Sequence, residues 1–431
     1  MWAFAIYPLV LFMFCVPAVA EVRGEFNSKA VLSESGLSQL EQNLTPSFSL
    51  SGDKFRFYSE YRLRIETIDE LEPEQFTEPS SSDLSKRMNI NDYLEFEVRE
   101  FFIDGYIDDF FLKLGKQQVV WGQSDGLRVL DVVNPLNYRE FILTEFDERR
   151  IPLWTVSIET SIGQWQLQTV WVPDQTYDNL PDLRTGATFA FTSPLYVPST
   201  PANQIVNLAE PKASGKIIKD SDVGFRLSTF TNDGWDIGIV YFYHFRDNPV
   251  LSRSISNFDV TIEQAYKRSH LIGISASNAL GDFILRSEVG YSTNVHYLTN
   301  WANSSVDYRV SPQLAGVLGI DYQGISNVFL SGQVFANHIT SFSDDIVRKQ
   351  TEIQYTLRYE QTFENETWTA TIQNIQSINR GDGLLQFSIN HQYSSVLILT
   401  FGADAFYGNN EGLFGQFKSE DRVHFSLNYS F

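Results

Sequence analysis

The chain has 431 residues, of which 43% are hydrophobic and 14% aromatic, and its 53 acidic and 32 basic side chains give a formal net charge of −21. Such acidity disfavours nucleic-acid binding, which needs a basic surface. No run of about eighteen apolar residues occurs beyond residue 20, which excludes a helical membrane span there, and a single cysteine excludes a disulfide framework.

Residues 1–20 contain no charged side chain and are apolar over most of their length. Small residues at Ala18 and Ala20 precede a polar stretch, and this pattern resembles a secretory signal peptide with its cleavage site. The start lacks the usual lysine or arginine, so an uncleaved membrane anchor is the alternative. We predict a signal peptide over residues 1–20.

Residues 21–52 are polar and only weakly periodic, and their leucines recur at spacings that suggest one short amphipathic helix. This stretch is predicted to form a periplasmic extension or a small plug. Residues 53–431 show no linker, low-complexity segment or charge block that would divide them. We therefore predict that residues 53–431 form one large domain.

A regular alternation of apolar and charged residues begins at Phe55. Because successive side chains of a strand point to opposite faces, this alternation predicts a strand with one apolar and one charged face. So many charges on one face are costly except in water or in a satisfied polar lumen. The residues of the charged face that are predicted to line a pore are Arg56, Glu60, Arg62 and Arg64.

The alternation stops after Trp121 and Gly122. The residues that follow combine turn formers with apolar pairs, and a loop this apolar is not expected to extend into solvent. It is predicted to fold inward and to pack against the lumen wall as a constriction. The polar and charged side chains expected to line this constriction are Lys113, Gln117, Gln123, Asp125, Arg128, Asp131 and Arg139.

The side chains of the constriction are expected to face Arg56, Arg62 and Arg64, the arginine ladder, across the pore. Opposed charged groups would create a transverse field that selects solutes by charge and dipole. The net charge of the chain has two explanations at this point. It comes either from acidic external loops or from a lumen that favours cations.

Further hairpins follow the inward-folding loop, and Asn232-Asp233-Gly234 is the strongest of their turn signals. Strands of about ten residues match a tilted crossing of a bilayer. A soluble sandwich or propeller would show more even spacing and fewer aromatic strand ends. We predict an all-β fold, a transmembrane antiparallel barrel of about 16 strands, within a range of roughly 14–18 and even in number.

The chain ends on an alternating strand whose last residue is aromatic, which is typical of bacterial outer-membrane barrels. This strand is predicted to be recognised by the barrel-assembly machinery and to close the barrel against residues 55–65. The predicted assembly signal consists of Phe425, Leu427, Tyr429 and Phe431.

The run from Leu114 to Asn137 reads L-G-K-Q-Q-V-V-W-G-Q-S-D-G-L-R-V-L-D-V-V-N-P-L-N. It resembles the (K/R)-Q-x-x-x-W-G-x-(S/A)…N-P segment of a large, functionally uncharacterised family of Gram-negative outer-membrane proteins, and the end of the chain resembles the end of that family. A broader similarity extends to porins and polysaccharide-export barrels. The resemblance implies a barrel in the cell outer membrane with a transport role, without naming a substrate.

The positions that match the family segment have a structural role as their simplest explanation. The glycine and the proline would set turns, the tryptophan would anchor the loop and the asparagine would cap a bend. The matching positions are Lys116, Gln117, Trp121, Gly122, Asn134 and Pro135.

Signals for catalysis are weak. The six histidines are dispersed singly, and neither a His-x-x-x-His spacing nor a Gly-x-Ser-x-Gly motif occurs. We therefore predict no enzyme, no metal site and no organic cofactor. A barrel hydrolase would need the fold to bring a distant histidine and serine together.

The predicted function is facilitated diffusion of a small solute through the outer membrane by a monomer or trimer. Its expected partners are outer-membrane lipid, the barrel-assembly machinery and the solute. One alternative is an export or lipid-handling barrel that works with an inner-membrane transporter. The other is a structural barrel with a sealed lumen.

Overall fold

The structure is a computed structural model that describes residues 19–73, 78–181, 185–198, 205–209, 217–256 and 259–431. Apart from Val19 and Ala20, the signal peptide predicted over residues 1–20 lies outside the described residues, and it stays a prediction.

Strands form most of the regular structure, as the alternation predicts. The helices are a short α1 (Phe146–Arg149) and a 3-10 helix (Gly415–Phe417), and no helix among the described residues is long and apolar enough to cross a membrane. The strands are β1 (Val19–Ser33), β2 (Gly36–Ser51), β3 (Phe55–Glu66), β4 (Met88–Asn91), β5 (Leu94–Ile107), β6 (Phe110–Gln117), β7 (Leu153–Ile162), β8 (Trp165–Val172), β9 (Ile205–Leu208), β10 (Asp222–Phe230), β11 (Asp236–Phe245), β12 (Val250–Ser256), β13 (Asp259–Ala265), β14 (Arg268–Leu280), β15 (Phe283–Leu298), β16 (Tyr308–Ile325), β17 (Val328–Ile339), β18 (Thr351–Phe363), β19 (Trp368–Ser377), β20 (Asp382–Ser394), β21 (Leu397–Tyr407) and β22 (Arg422–Ser430).

One antiparallel sheet contains 19 of these strands. The four-residue strand β4 pairs only with β5, and the other 18 form a closed ring, while β9, β12 and β13 form a separate small sheet. The predicted all-β barrel is therefore confirmed. Its strand number is 18 rather than about 16.

The ring closes between β1 and β22, where the backbones of Gly24 and Phe431 exchange hydrogen bonds of 2.8 and 2.9 Å. Strands β1 and β2 cover residues 19–51, so the prediction of an extension or plug over residues 21–52 is wrong. The prediction that the last strand closes the barrel against residues 55–65 is also wrong, because β22 pairs with β1. Gly24, Ser28 and Gln42 interrupt the apolar alternation of β1 and β2, whereas the backbone hydrogen bonds that build a strand do not depend on side chains.

The two ends of the barrel differ. Because neighbouring strands run antiparallel, alternate connections lie at the same end. Short turns, such as Gly163-Gln164 between β7 and β8, lie at one end, which we call the turn end. The opposite end, called the loop end, carries the longer connections, namely residues 67–87, 118–152, 173–221 and 246–267.

The outer surface of the ring is apolar. Ile272 and Ile274 on β14 and Leu318 and Ile320 on β16 are all exposed, and each lies two residues from the next on its strand. The period-two spacing puts them on the outward face. An apolar band of this kind suits contact with lipid.

Residues 118–152, here called the inward segment, fold into the lumen. Trp121 and Leu130 have no exposed surface and pack against wall residues of several strands, including Val240 and Phe335. The wall therefore carries an apolar patch on its inner face that the inward segment covers.

Candidate functional site

Glycines on the wall make room for the inward segment. A Cβ at Gly224 would lie 2.8 Å from Cη2 of Trp121, and one at Gly273 would overlap the Leu130 side chain. The Trp121 indole N–H donates a 2.7 Å hydrogen bond to Gln168 on β8. The wall and the segment are thus shaped for each other at these two side chains.

A buried wall carboxylate, that of Glu288 on β15, binds the backbone of the segment. It accepts the N–H groups of Ser124 and Leu130, both at 3.0 Å, and that of Gln123. Three charge-assisted hydrogen bonds to one acceptor fix the turn between these residues deep in the lumen.

Asn134 joins the two arms of the inward segment. Its Oδ1 accepts the Val119 N–H at 2.7 Å, and its Nδ2 donates to the Ile151 carbonyl at 2.9 Å. The Pro135 carbonyl accepts the Ile151 N–H at 2.9 Å. At Gly122, an added Cβ would lie 2.8 Å from that of Asp131. The motif residues of the segment therefore make contacts that hold its own backbone together.

The predicted arginine ladder is paired along the wall. Arg56 Nε donates to Asp104 at 3.2 Å, and Arg62 lies 3.9 Å from Glu97. Each partner belongs to β5, the neighbouring strand. The charges of these two guanidinium groups are therefore balanced by carboxylates on the barrel wall.

Arg139, which was expected to face the ladder across the pore, joins it instead. Its guanidinium lies 2.6 Å from Glu41 on β2, and Arg64 lies 3.5 Å from the same carboxylate. Arg139 also binds Glu72 at 2.7 Å. These groups form one ion network on one side of the lumen, which gives no support to a transverse field between them.

The remaining predicted pore residues outside the tip of the segment contact neighbouring groups. Lys116, which was predicted as a structural position of the family segment and not as a pore residue, is buried and donates to the Ser85 carbonyl at 3.3 Å. The other contacts are Lys113 with the Phe102 ring, Gln117 with the Thr155 carbonyl, Glu60 with the Tyr58 hydroxyl and Asp131 with Arg150.

The tip of the segment contacts a cation that the sequence analysis did not single out. Arg286 on β15 lies 2.9 Å from Asp125 and donates to the Gln123 carbonyl at 3.1 Å. Arg286 and Glu288 lie two residues apart on a strand, as Arg62 and Arg64 do. Charged residues at this spacing were the signal that could have identified them.

Three cavities lie beside the inward segment. The loop-end cavity has a volume of about 730 Å³, and a neck cavity of about 180 Å³ shares Leu127, Arg128 and Tyr138 with it. A turn-end cavity of about 330 Å³ is lined by Asp125 and by wall residues of β17, β18 and β19. Gly126 lines the neck cavity next to Asp125, so the three cavities follow one another past the segment. We call this succession the route.

Arg128, at the junction of the upper two cavities, is held by two carboxylates. Its guanidinium lies 3.3 Å from Asp178 and 3.3 Å from Asp247. Burial alone would lower the pKa of Arg128, but the electrostatic effects of Asp178, Tyr138 and Asp247, in that order, outweigh it and raise the pKa. Arg128 therefore stays charged and is neutralised locally.

Among the described residues, no group of three or more histidine, cysteine, aspartate or glutamate side chains could hold a metal ion.

The family model described as "Protein of unknown function (DUF1302)" matches residues 64–431. The match spans more than half of the chain, so the chain belongs to this family. The family resemblance drawn from the sequence is thereby confirmed. A search of curated proteins found no match.

Solved structures share the fold at low sequence identity. The outer membrane protein opdK from Pseudomonas aeruginosa superposes with a TM-score of 0.51 and 9% identity, covering 96% of this chain and 99% of that chain. OccK3 (OpdO) of the same organism superposes with a TM-score of 0.52 and 10% identity, covering 96% of this chain and 95% of that chain. OccAB2 of Acinetobacter baumannii superposes with a TM-score of 0.52 and 10% identity, covering 96% of this chain and 98% of that chain. The chain therefore has the fold of these barrels.

Proposed function

We propose that this member of the DUF1302 family is a channel of the cell outer membrane through which a small solute passes by facilitated diffusion. The observation that carries the proposal is the route of three cavities beside the inward segment. A closed barrel of this size leaves an aqueous lumen unless something narrows it. Here the inward segment narrows it, and the neck cavity is the smallest of the three cavities.

The apolar outer surface supports a location in lipid, and the fold shared with an outer membrane protein supports the outer membrane in particular. In this membrane the loop end would face outside and the turn end the periplasm. Transport along a gradient needs neither catalysis nor a cofactor.

The route can be tested with a thiol placed in it. Asn337 lines both the loop-end and the neck cavity, and residues 19–431 contain no cysteine. In a chain that also carries Cys15→Ala, Asn337→Cys should conduct in planar bilayers. A bulky methanethiosulfonate reagent should then roughly halve the single-channel current, because the added group would fill much of the neck cavity of about 180 Å³.

The matched control is Glu364→Cys, at an exposed turn between β18 and β19, where modification should leave the current unchanged. A chain that conducts nothing under any condition would contradict the channel. Equal effects of the reagent at both positions would contradict the route.

A second candidate, a lipid-handling barrel that works with an inner-membrane transporter, is favoured by the apolar character of the loop-end cavity. Phe141, Phe191 and Leu195 line it, and they are buried. Liposomes that contain only the purified protein separate the two functions. Equilibration of water-soluble solutes supports the channel, whereas transfer of apolar compounds alone supports the second candidate.

A further inference from the structure

The loop-end cavity has a local charge opposite to that of the whole chain. Five cationic side chains and two carboxylates line it, although the net charge of the chain is −21. The rest of the lining is largely apolar or aromatic, and its volume of about 730 Å³ suits a small organic ligand. The cations are Arg128, Arg246, Lys267, Arg348 and Lys349, and the carboxylates are Asp178 and Glu352.

Three cations of the lining, Arg246, Lys267 and Lys349, form no side-chain ion pair or hydrogen bond among the described residues, and of these only Arg246 has a guanidinium, which can bind a carboxylate through two N–H groups. Arg348 is paired with Glu352 at 2.9 Å, and Arg128 is paired with Asp178 and Asp247. Within the described ranges, the Arg246 side chain forms no ion pair or hydrogen bond, and it is not fully exposed. Burial is the main cause that lowers its pKa, yet the guanidinium remains protonated at neutral pH.

A second unpartnered donor lies in the same cavity. The Tyr297 side chain is only 5% exposed, and its hydroxyl has no hydrogen-bond partner among the described residues. A buried hydroxyl without a partner costs free energy, which a bound acceptor would recover. The Arg246 guanidinium can only donate, and the Tyr297 hydroxyl can donate beside it, and this suits an oxyanion.

The same pattern continues in the neck cavity. Arg149 lines it and is 4% exposed, and its Nε is buried without a partner. The guanidinium lies 4.8 Å from the centre of the Phe146 ring. Burial lowers the pKa of Arg149 to about 10, so it too is charged at neutral pH.

We propose that the loop-end cavity binds an amphipathic organic anion, with its carboxylate at Arg246 and Tyr297 and its apolar body against the aromatic lining, and that Arg149 receives the carboxylate in the neck. This proposal rests on the proposed function in taking the route as the solute's path. An anion with an apolar body matches both the unpaired donors and the apolar lining, whereas an amphipathic cation would be repelled by a lining in which five cationic side chains outnumber two carboxylates.

Binding is measured by calorimetry on the full chain in lipid nanodiscs with three probes. These are 4-phenylbutyrate, the cationic 4-phenylbutylamine and acetate, which has the charge but no apolar body. The phenylbutyrate should bind at least tenfold more tightly than the other two. Arg246→Gln should weaken its binding by roughly tenfold or more, because a charge-assisted hydrogen bond is lost. Arg246→Lys should restore part of the affinity, and Tyr297→Phe should weaken it severalfold.

The matched control is Arg309→Gln, which removes the same charge at the loop end from an exposed pair with Asp345 outside the cavity. It should leave the affinity unchanged. Equal affinity for phenylbutyrate and phenylbutylamine, or an equal loss in Arg246→Gln and Arg309→Gln, overturns the proposal.

Single-channel recordings separate the failure of this site from that of the channel. A chain that conducts ions but shows no preference for phenylbutyrate overturns the anion site and leaves the channel. A chain that binds phenylbutyrate through Arg246 but conducts nothing supports the site and contradicts the channel.

Discussion

A single side chain, that of Glu288, binds three backbone groups at the tip of the inward segment. Its carboxylate is 1% exposed and accepts three backbone N–H groups that lie outside any helix or strand. Backbone donors of this kind are costly to leave unpaired in a buried place. The tip therefore depends on a residue far from it in sequence.

We expect Glu288→Ala to release the tip. Loss of the shared acceptor should destabilise the docked conformation by about 3 kcal/mol, since each buried unpaired donor costs about 1–3 kcal/mol and water recovers part of that. Trypsin should then cut after Arg128, which mass spectrometry detects. Glu360→Ala, which removes a carboxylate from the turn-end cavity without a contact to the tip, is the control. Equal resistance in both variants would contradict this role of Glu288.

At the scale of elements, the inward segment and the connection over residues 67–87 are fastened to the wall by ion pairs. Glu72 binds Arg87 and Arg139, each at 2.7 Å. Arg139 in turn binds Glu41 on β2. One network therefore joins two connections to a barrel strand.

The network predicts a pH dependence of docking. Burial alone would raise the pKa of Glu72, but the charges of Arg87 and Arg139 outweigh it and hold the pKa at about 2, against an ordinary value of 4.5. Because the folded pKa is the lower one, the ionised carboxylate stabilises docking above pH 4.5, and this is lost as the pH falls towards 2. The contribution is on the order of 3 kcal/mol.

Near-ultraviolet circular dichroism in detergent should report the undocking of the segment as the pH is lowered and the Glu72 carboxylate becomes protonated. Arg139→Gln should move the transition to higher pH, because one of the two cations that hold the Glu72 charge is gone. Lys86→Gln alters an exposed pair with Asp83 in the same connection and should leave the transition in place. An unchanged transition in Arg139→Gln would rule out this explanation.

At the scale of the whole molecule, closure of the ring decides whether a barrel exists. The seam joins β1 to β22, and the Phe431 ring covers Gly24, where any Cβ would overlap it. The last residue of the chain thus contributes both backbone hydrogen bonds and a side chain to the seam.

We expect deletion of Phe431 to reduce the amount of protein in the outer membrane strongly, while refolding of the purified chain into detergent suffers less. The reason is that the terminal aromatic strand is proposed to act as the assembly signal. Heat-modifiable mobility in membrane fractions measures the outcome. Phe401→Ala, an equally outward aromatic on β21, is the control. Normal amounts after the deletion would argue against the signal.

The sequence by itself determined the class of fold and the one segment, after Trp121, in which the strand alternation stops. Alternation with period two follows from strand geometry, so β3 and β22 could be recognised without a structure. The break after Trp121 was equally local, because turn formers and apolar pairs together indicate a loop that needs a wall to pack on. Strands β1 and β2 were missed because Gly24, Ser28 and Gln42 interrupt the apolar alternation of their outward face, whereas backbone pairing continues through such residues.

Only the tertiary structure decided what the charges do. Arg62 and Arg64 look like free pore cations in the sequence, but their partners Glu97 and Glu95 come from the adjacent strand. Arg246 looks no different from them, yet it has no such partner among the described residues. Whether a charge is neutralised depends on distances of a few ångströms between residues far apart in the chain, because Coulomb energy and desolvation are set by those distances and by burial. Residues far apart in the chain come this close to one another only in the folded, closed barrel.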